Sequence, residues 1–233
     1  MSRTILIYGQ SGAGKTTSCR HLNPKHTFYI DCDGKGLSWH GWRKSFNAEN
    51  KNYIRSDTLD PTSKRNLATV IRSVAASDAY SHIKTIVVDG LTTVMTLDVM
   101  RRADEKGFDK WRDLAYSVLQ IIRDANYYRD DLDIVFIGHV DTDDESVNPV
   151  AHLKTSGRKL GQIVLESFFT TVLYAKTDGE NYWFETTARN STAKAPKGAL
   201  DDRVDNDLAA VLVILNLFEN ADILAKPEES NET

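Results

Sequence analysis

The stretch GQSGAGKT at residues 9–16 combines three glycines, a lysine and a threonine at spacings that suit phosphate binding. Gly9, Gly12 and Gly14 let backbone N–H groups curl around phosphate oxygens, and a helix starting there aims its positive end at them. Lys15 reaches the β and γ phosphates, and the Thr16 hydroxyl takes a place on Mg²⁺. The run matches G-x-x-x-x-G-K-[ST] in full and lies between an apolar run and a helical pattern, the context that marks a P-loop. Gly9, Gln10, Ser11, Gly12, Ala13, Gly14, Lys15, Thr16 and Thr17 are therefore the expected nucleotide cradle, with ATP and Mg²⁺ as its expected ligands.

IVVDGLTT at 86–93 places Asp89 at the end of a second apolar run. Beside a P-loop, such an aspartate suits the magnesium shell, so Thr16 and Asp89 are the expected metal pair. In many P-loop ATPases the next residue is a glutamate that prepares water for attack. Here it is Gly90, which has no side chain to do so. Two other carboxylates, Asp31 and Asp33, follow an apolar run in FYIDCDGKGLS (28–38). Ligands of open α/β sheets sit beyond the C-terminal ends of the strands, the edge at which these two carboxylates lie. The ordinary alternative is a pair of aspartates that cap turns.

These groups need a scaffold. RTILIYG (3–9), HTFYID (26–31), KTIVVDG (84–90) and DIVFIGHV (133–140) are short β-rich apolar runs and read as buried parallel strands. Helices are expected over 14–22, over 60–77 with Leu67, Val70, Ile71 and Val74 on one face, over 110–128, and over 205–220. Residues 32–52 read as a long loop or a short helix, and TTVLYAK (170–176) and NYWFETTA (181–188) as paired strands. The alternation predicts an α/β fold with a mainly parallel sheet flanked by helices and a C-terminal β-hairpin. WHGWRKSF (39–46) has the aromatic and basic mixture of a base-stacking surface, but reads better as a satellite hydrophobic cluster beneath a long loop.

A chain of 233 residues, 41% of them hydrophobic, can bury one core, so one ATPase domain over 1–222 and a disordered acidic tail over 223–233 are expected. A net charge of -4 excludes a broad cationic face, while leaving room for a local basic groove. The two cysteines, Cys19 and Cys32, have neither CxxC nor metal-type spacing and read as reduced thiols. No apolar run approaches the roughly 18 residues of a membrane span. The opening MSRTILIYG enters a strand at once, so a soluble intracellular protein with no membrane association is expected.

The P-loop, the Asp-x-Asp after the second run, the Asp-Gly after the third, the histidine after the fourth and a late Lys-Pro segment together resemble the RecA-like ATPases. They are most similar to the short phage nucleotide-binding proteins built on that core, over roughly residues 3 to 200. The resemblance implies that Asp33 replaces the catalytic glutamate, with Asp31 as the structural aspartate, and that His139 senses the γ-phosphate. It makes Lys15, Asp33 and His139 the catalytic set. It implies that Arg189, Lys194 and Lys197 in ARNSTAKAPKG (188–198) reach the nucleotide of a neighbouring subunit in a homo-oligomer assembled through the ATP site. Its two DNA-contacting loops map to 90–110 and 141–161, which offer Lys154, Arg158 and Lys159, backed by Arg101 and Arg102, although the second begins with the acidic DTDDE. The implied function is Mg-dependent, slow ATP hydrolysis stimulated by single-stranded DNA, serving recombination or single-strand annealing. The implied setting is the bacterial host cytoplasm, with a single-strand-binding protein as a further partner. Asp33 is one methylene shorter than glutamate, so an ATP-gated binding module with little hydrolysis is the alternative. A small P-loop nucleotide kinase, which needs an arginine-rich lid, is the other.

Overall fold

Strands that are apolar at nearly every position must be covered on both faces. The computed structural model describes residues 1–107, 109–142, 149–157 and 159–221. The strands are β1 (Arg3–Gly9), β2 (Thr27–Asp31), β3 (Tyr53–Arg55), β4 (Thr85–Asp89), β5 (Asp133–Thr142), β6 (Ala151–Leu153), β7 (Thr171–Thr177), β8 (Tyr182–Glu185) and β9 (Arg203–Asp205). The helices are α1 (Trp42–Ser45), α2 (Leu67–Ala76), α3 (Leu91–Arg101), α4 (Asp109–Ala125) and α5 (Leu208–Glu219). Among the described residues the strands form one mixed sheet in the order β3-β2-β4-β5-β1-β7-β8-β9, with β6 turned back antiparallel on the outer end of β5. The six strands from β3 to β7 in that order run parallel, and β8 and β9 complete it as antiparallel edge strands, β7 and β8 forming the expected hairpin.

Two cores cover the sheet. Apolar residues of α2, α3 and α4 pack on one face, around Leu6, Ile30, Val88 and Phe136. On the other face α5, the turn after the P-loop, and Leu37 and Phe46 pack around Ile5, Ile7, Val87 and Val135. The spacing that predicted α4 is visible in its buried Leu114, Val118, Ile121 and Ile122. Trp39, Trp42 and Phe46 belong to the second core, edge-on or tilted against Tyr29 and Tyr53, so the 39–46 stretch is a packing cluster.

The register brings the chemistry to one edge. Gly9 lies opposite His139, Asp31 opposite Asp89, and Asp89 opposite Ile137. All of these sit at the C-terminal ends of parallel strands.

Four expectations are corrected. The helix over 14–22 is only a 3-10 turn, Thr17–His21. Thr16, Thr17 and Ser18 favour helix weakly, and Pro24 forces the preceding backbone out of the α region. The helix over 60–77 starts at Leu67, where the Asn66 side chain accepts from Thr69 N at 3.0 Å; the earlier Asp60 caps a turn at Thr62 instead. The stretch 90–110, expected as a loop, is largely α3, which begins directly after Gly90. Within 141–161, Asp141 and Thr142 end β5, and 151–153 form β6, paired antiparallel with it. The edge strands β3 and β9, three residues each, were too short to read as periodic patterns. Residues 143–145 of DTDDE, Arg158 and the tail over 223–233 lie outside the described residues. Among those described, no helix is long and apolar enough to cross a membrane.

Candidate nucleotide site

The P-loop leaves β1 and closes on itself through Ala13 N to Gln10 O, 3.2 Å, and Ser18 N to Gly14 O, 2.8 Å. Gly14 has φ +80°, and a side chain there would press on Tyr182 and Asn206, so only glycine suits the position. A turn of five residues carries little of a long helix's dipole, so the positive character of the cradle rests on loop amides and Lys15. Lys15 is 9% exposed and its Nζ donates to Gly9 O at 2.8 Å and Gln10 O at 2.7 Å. Burial pulls its pKa down to about 8, against the opposing pull of Asp89.

Thr16 and Asp89 meet as expected. Thr16 Oγ1 donates to Asp89 Oδ2 at 2.6 Å, and the buried Tyr29 hydroxyl donates to the same oxygen at 2.6 Å. Burial raises the Asp89 carboxyl above its ordinary value, and the two hydroxyls work against that rise. Tyr29 carried no functional signal in the sequence, because an aromatic residue in an apolar strand reads as core.

The absent strand-four acid has a spatial explanation. Gly90 has φ +113°, and a Cβ built on it would overlap Asp33 Oδ1 and lie 3.1 Å from Asp33 Cγ. The Asp33 carboxylate therefore stands in the space that a side chain at 90 would fill. Thr93 Oγ1 donates to Asp33 Oδ1, and Lys35 Nζ pairs with Oδ2. Burial pushes the Asp33 carboxyl up, but the hydrogen bonds from Lys35 and Thr93 and the Lys35 charge outweigh it and hold the carboxyl below its ordinary value. Asp31 has a different task. It accepts from Gly34 N at 2.8 Å, Gly36 N at 2.9 Å and the Tyr53 hydroxyl at 2.6 Å, which shapes the turn bearing Asp33.

His139 follows Gly138 beside the P-loop. Its backbone N–H donates to Thr92 Oγ1 at 2.9 Å, and its carbonyl accepts from Lys154 N at 2.8 Å. Burial and the Lys15 charge lower its pKa, so the imidazole is neutral at neutral pH.

Lys15, Thr16, Asp33, Lys35, Asp89 and His139 line a cleft of about 710 Å³ that extends past the P-loop to Tyr182 and Asn206. Hydroxyl and carboxylate oxygens for a hard cation, and an ammonium with loop amides for phosphates, fit a magnesium nucleotide. Among the described residues no group of three or more His, Cys, Asp and Glu is arranged to hold a metal. Thr16 and Asp89 could thus hold Mg²⁺ only with phosphate oxygens and water completing its octahedron, which is that ion's habit. Thr17 joins the wall, hydrogen-bonded to Ser38 at 2.8 Å.

The remaining candidates lie apart. Arg189 pairs with Asp202, Lys194 exchanges backbone hydrogen bonds with Val172, and Lys197 is exposed; none lines the cleft of its own chain. Lys154 lines a second cleft, about 510 Å³, which shares His139 with the first, and Lys159 is exposed nearby in sequence. Arg101 ends α3 and pairs with Asp57 at 2.9 Å. Arg102, at the end of α3, pairs with Glu105 of the connecting turn at 2.9 Å and with Asp113 of α4 at 3.3 Å.

The chain is similar in fold to the flagellar accessory protein FlaH from Methanocaldococcus jannaschii, at 14% identity and TM-score 0.40, over 78% of this chain and 75% of that one. It is also similar to the VirB11 ATPase from the Brucella suis type IV secretion system, crystallised with sulphate. There the identity is 13% and the TM-score 0.35, over 81% of this chain and half the length of that one. No curated protein matches the sequence. A family model described as "AAA domain" matches residues 1–198, and the chain belongs to that family of P-loop ATPase domains.

Proposed function

We propose that the protein hydrolyses ATP with Mg²⁺, using Asp33 as the base. The observation that carries this reading is the fit between Gly90 and Asp33, by which the acid of β2 takes the place open beside β4. Asp33 accepts a proton from water as the water oxygen bonds to the γ-phosphorus and the β–γ bridging bond breaks, leaving ADP and phosphate. Lys15 and the loop amides hold the phosphates, Thr16 and Asp89 hold the cation, and His139 donates a hydrogen bond to the γ-phosphate. A kinase reading draws less support, since among the described residues the cleft's lone arginine is Arg20, which donates to the Asn206 carbonyl at 3.1 Å. The ATP-gated binding module remains the rival, and the two part on turnover: steady phosphate release that disappears in Lys15→Ala supports the ATPase, and tight binding without release supports the module.

The finer reading, from the phage-type resemblance, is that this ATPase serves single-stranded DNA recombination or annealing as an oligomer. Its support is the path from His139 to the second cleft. The His139 carbonyl accepts from Lys154 N, and its N–H donates to Thr92 at the start of α3, so a group sensed at His139 can shift both walls of that cleft. Single-stranded DNA would lie there on Lys154, the described member of the basic loop candidates that lines the cleft. Anisotropy of a labelled oligonucleotide with ADP or a non-hydrolysed ATP analogue tests this, and binding that is absent at low salt under every nucleotide condition refutes it.

A further inference from the structure

Among the described residues that line the cleft, Lys35 is the cation whose partner is the reacting carboxylate, whereas Lys15 is held by backbone carbonyls of the P-loop. Its backbone is fixed on both sides, because Asp31 accepts from Gly34 N and Gly36 N, and the turn packs on Trp42 next to Gly36. Its side chain is 57% exposed, whereas that of Asp33 is 12% exposed. A flexible arm on a rigid turn therefore clasps an anchored carboxylate. The two oxygens of that carboxylate are divided: Oδ1 is held by Thr93 and abuts Gly90, while among the described residues Oδ2 is held by Lys35. Release of Lys35 would free Oδ2 and leave Asp33 in position.

The arm has a competing anion within its field. Lys35 lines the same cleft as Lys15, Asp89 and His139, the end where a terminal phosphate would lie. An exposed ion pair of one ammonium and one carboxylate is easily exchanged, and a terminal phosphate offers a larger negative charge and more acceptor oxygens.

We propose that Lys35 senses the terminal phosphate: its ammonium passes from Asp33 Oδ2 to that phosphate, which unmasks the base only when a triphosphate is in the cleft. This rests on the reading of Asp33 as the base, and it makes Lys35 both a γ-phosphate contact and the restraint on idle Asp33.

The test is equilibrium binding of a non-hydrolysed ATP analogue and of ADP, with Mg²⁺, to the full chain. Lys35→Ala should weaken the triphosphate about tenfold and change ADP less than about twofold, while Lys35→Arg keeps the discrimination. Asp33→Asn should bind the triphosphate several times more tightly than the native protein, because the competing carboxylate charge is gone. That gain should vanish when Lys35→Ala is added. Equal effects of Lys35→Ala on both nucleotides, or an Asp33→Asn gain that survives Lys35→Ala, would overturn the proposal. ADP affinity and thermal unfolding report whether each variant is folded, and should Lys35→Ala unfold, Lys35→Met is measured in its place. Lys15→Ala separates the two levels: if it leaves both nucleotides bound as before, the nucleotide site itself is misplaced and both readings fall. If Lys15→Ala abolishes binding and Lys35→Ala does nothing, only the sensor falls.

Discussion

A methyl group on Gly90 would have to enter the space of Asp33 Oδ1 while its backbone stayed at φ +113°. Gly90→Ala should therefore lower stability by about 1–3 kcal/mol from backbone strain alone, and should also displace the base. Denaturant unfolding reads the first effect and phosphate release the second. In an Asp33→Ala background the steric part of the penalty should disappear, a coupling on the order of 1 kcal/mol in a double-mutant cycle. The depressed Asp33 carboxyl makes a second prediction. A group with a lowered pKa stays charged above that value, and activity is lost only as pH falls through it. The kcat/KM should thus not fall through Asp33 between neutral pH and about pH 5, and Lys35→Ala should move the acid limb of that profile upward, since kcat/KM reports the free enzyme in which Lys35 holds Asp33. A pH–rate profile of both proteins decides this. Asp33, Lys15, Thr16 and Asp89 were legible in the sequence because motif and strand end mark them. Thr93, Lys35 and Tyr29 were not, since their roles depend on which strands become neighbours.

Elements explain where the basic candidates diverge. Apolar patterning identified β1, β2, β4, β5 and α4 because long apolar patterns are strong. It could not distinguish a loop from α3, whose first residues LTTV follow a glycine and mix polar with apolar types. That difference matters for Arg102, which is spent on ion pairs at the end of α3, with Glu105 of the connecting turn and Asp113 of α4, and for Lys154, which directly follows β6 and donates its backbone N–H to the His139 carbonyl. Lys154→Ala should reduce the salt slope of single-stranded DNA binding by about 0.7, one phosphate contact, without altering stability. Arg102→Ala should do the reverse, costing about 1 kcal/mol of stability with an unchanged slope. Anisotropy across salt and thermal unfolding measure both, and a loss of slope in Arg102→Ala would return that residue to the DNA surface.

At the scale of the whole molecule, α/β class and the hairpin followed from the order of the patterns, but assembly did not, because trans contacts leave no periodic trace. Arg189, Lys194 and Lys197 do not line the cleft of their own chain, so any part they play in turnover requires a second copy. Specific activity should then rise with protein concentration. A mixture of the triple alanine variant at those positions with Lys15→Ala should regain at least about tenfold of the lost turnover, given what a trans-acting cation contributes elsewhere. A rate independent of concentration, with no rescue on mixing, would leave each chain self-sufficient.

The central claim is that the acid missing after β4 is supplied by Asp33 from β2. Steady-state phosphate release by Asp33→Asn, with ATP binding measured on the same sample, tests it most directly. The amide keeps the shape and the Thr93 contact while removing the base. Binding should persist or tighten, and turnover should fall by about a hundredfold or more. Turnover at the native rate by a variant that binds ATP normally would contradict the account and place the acid elsewhere.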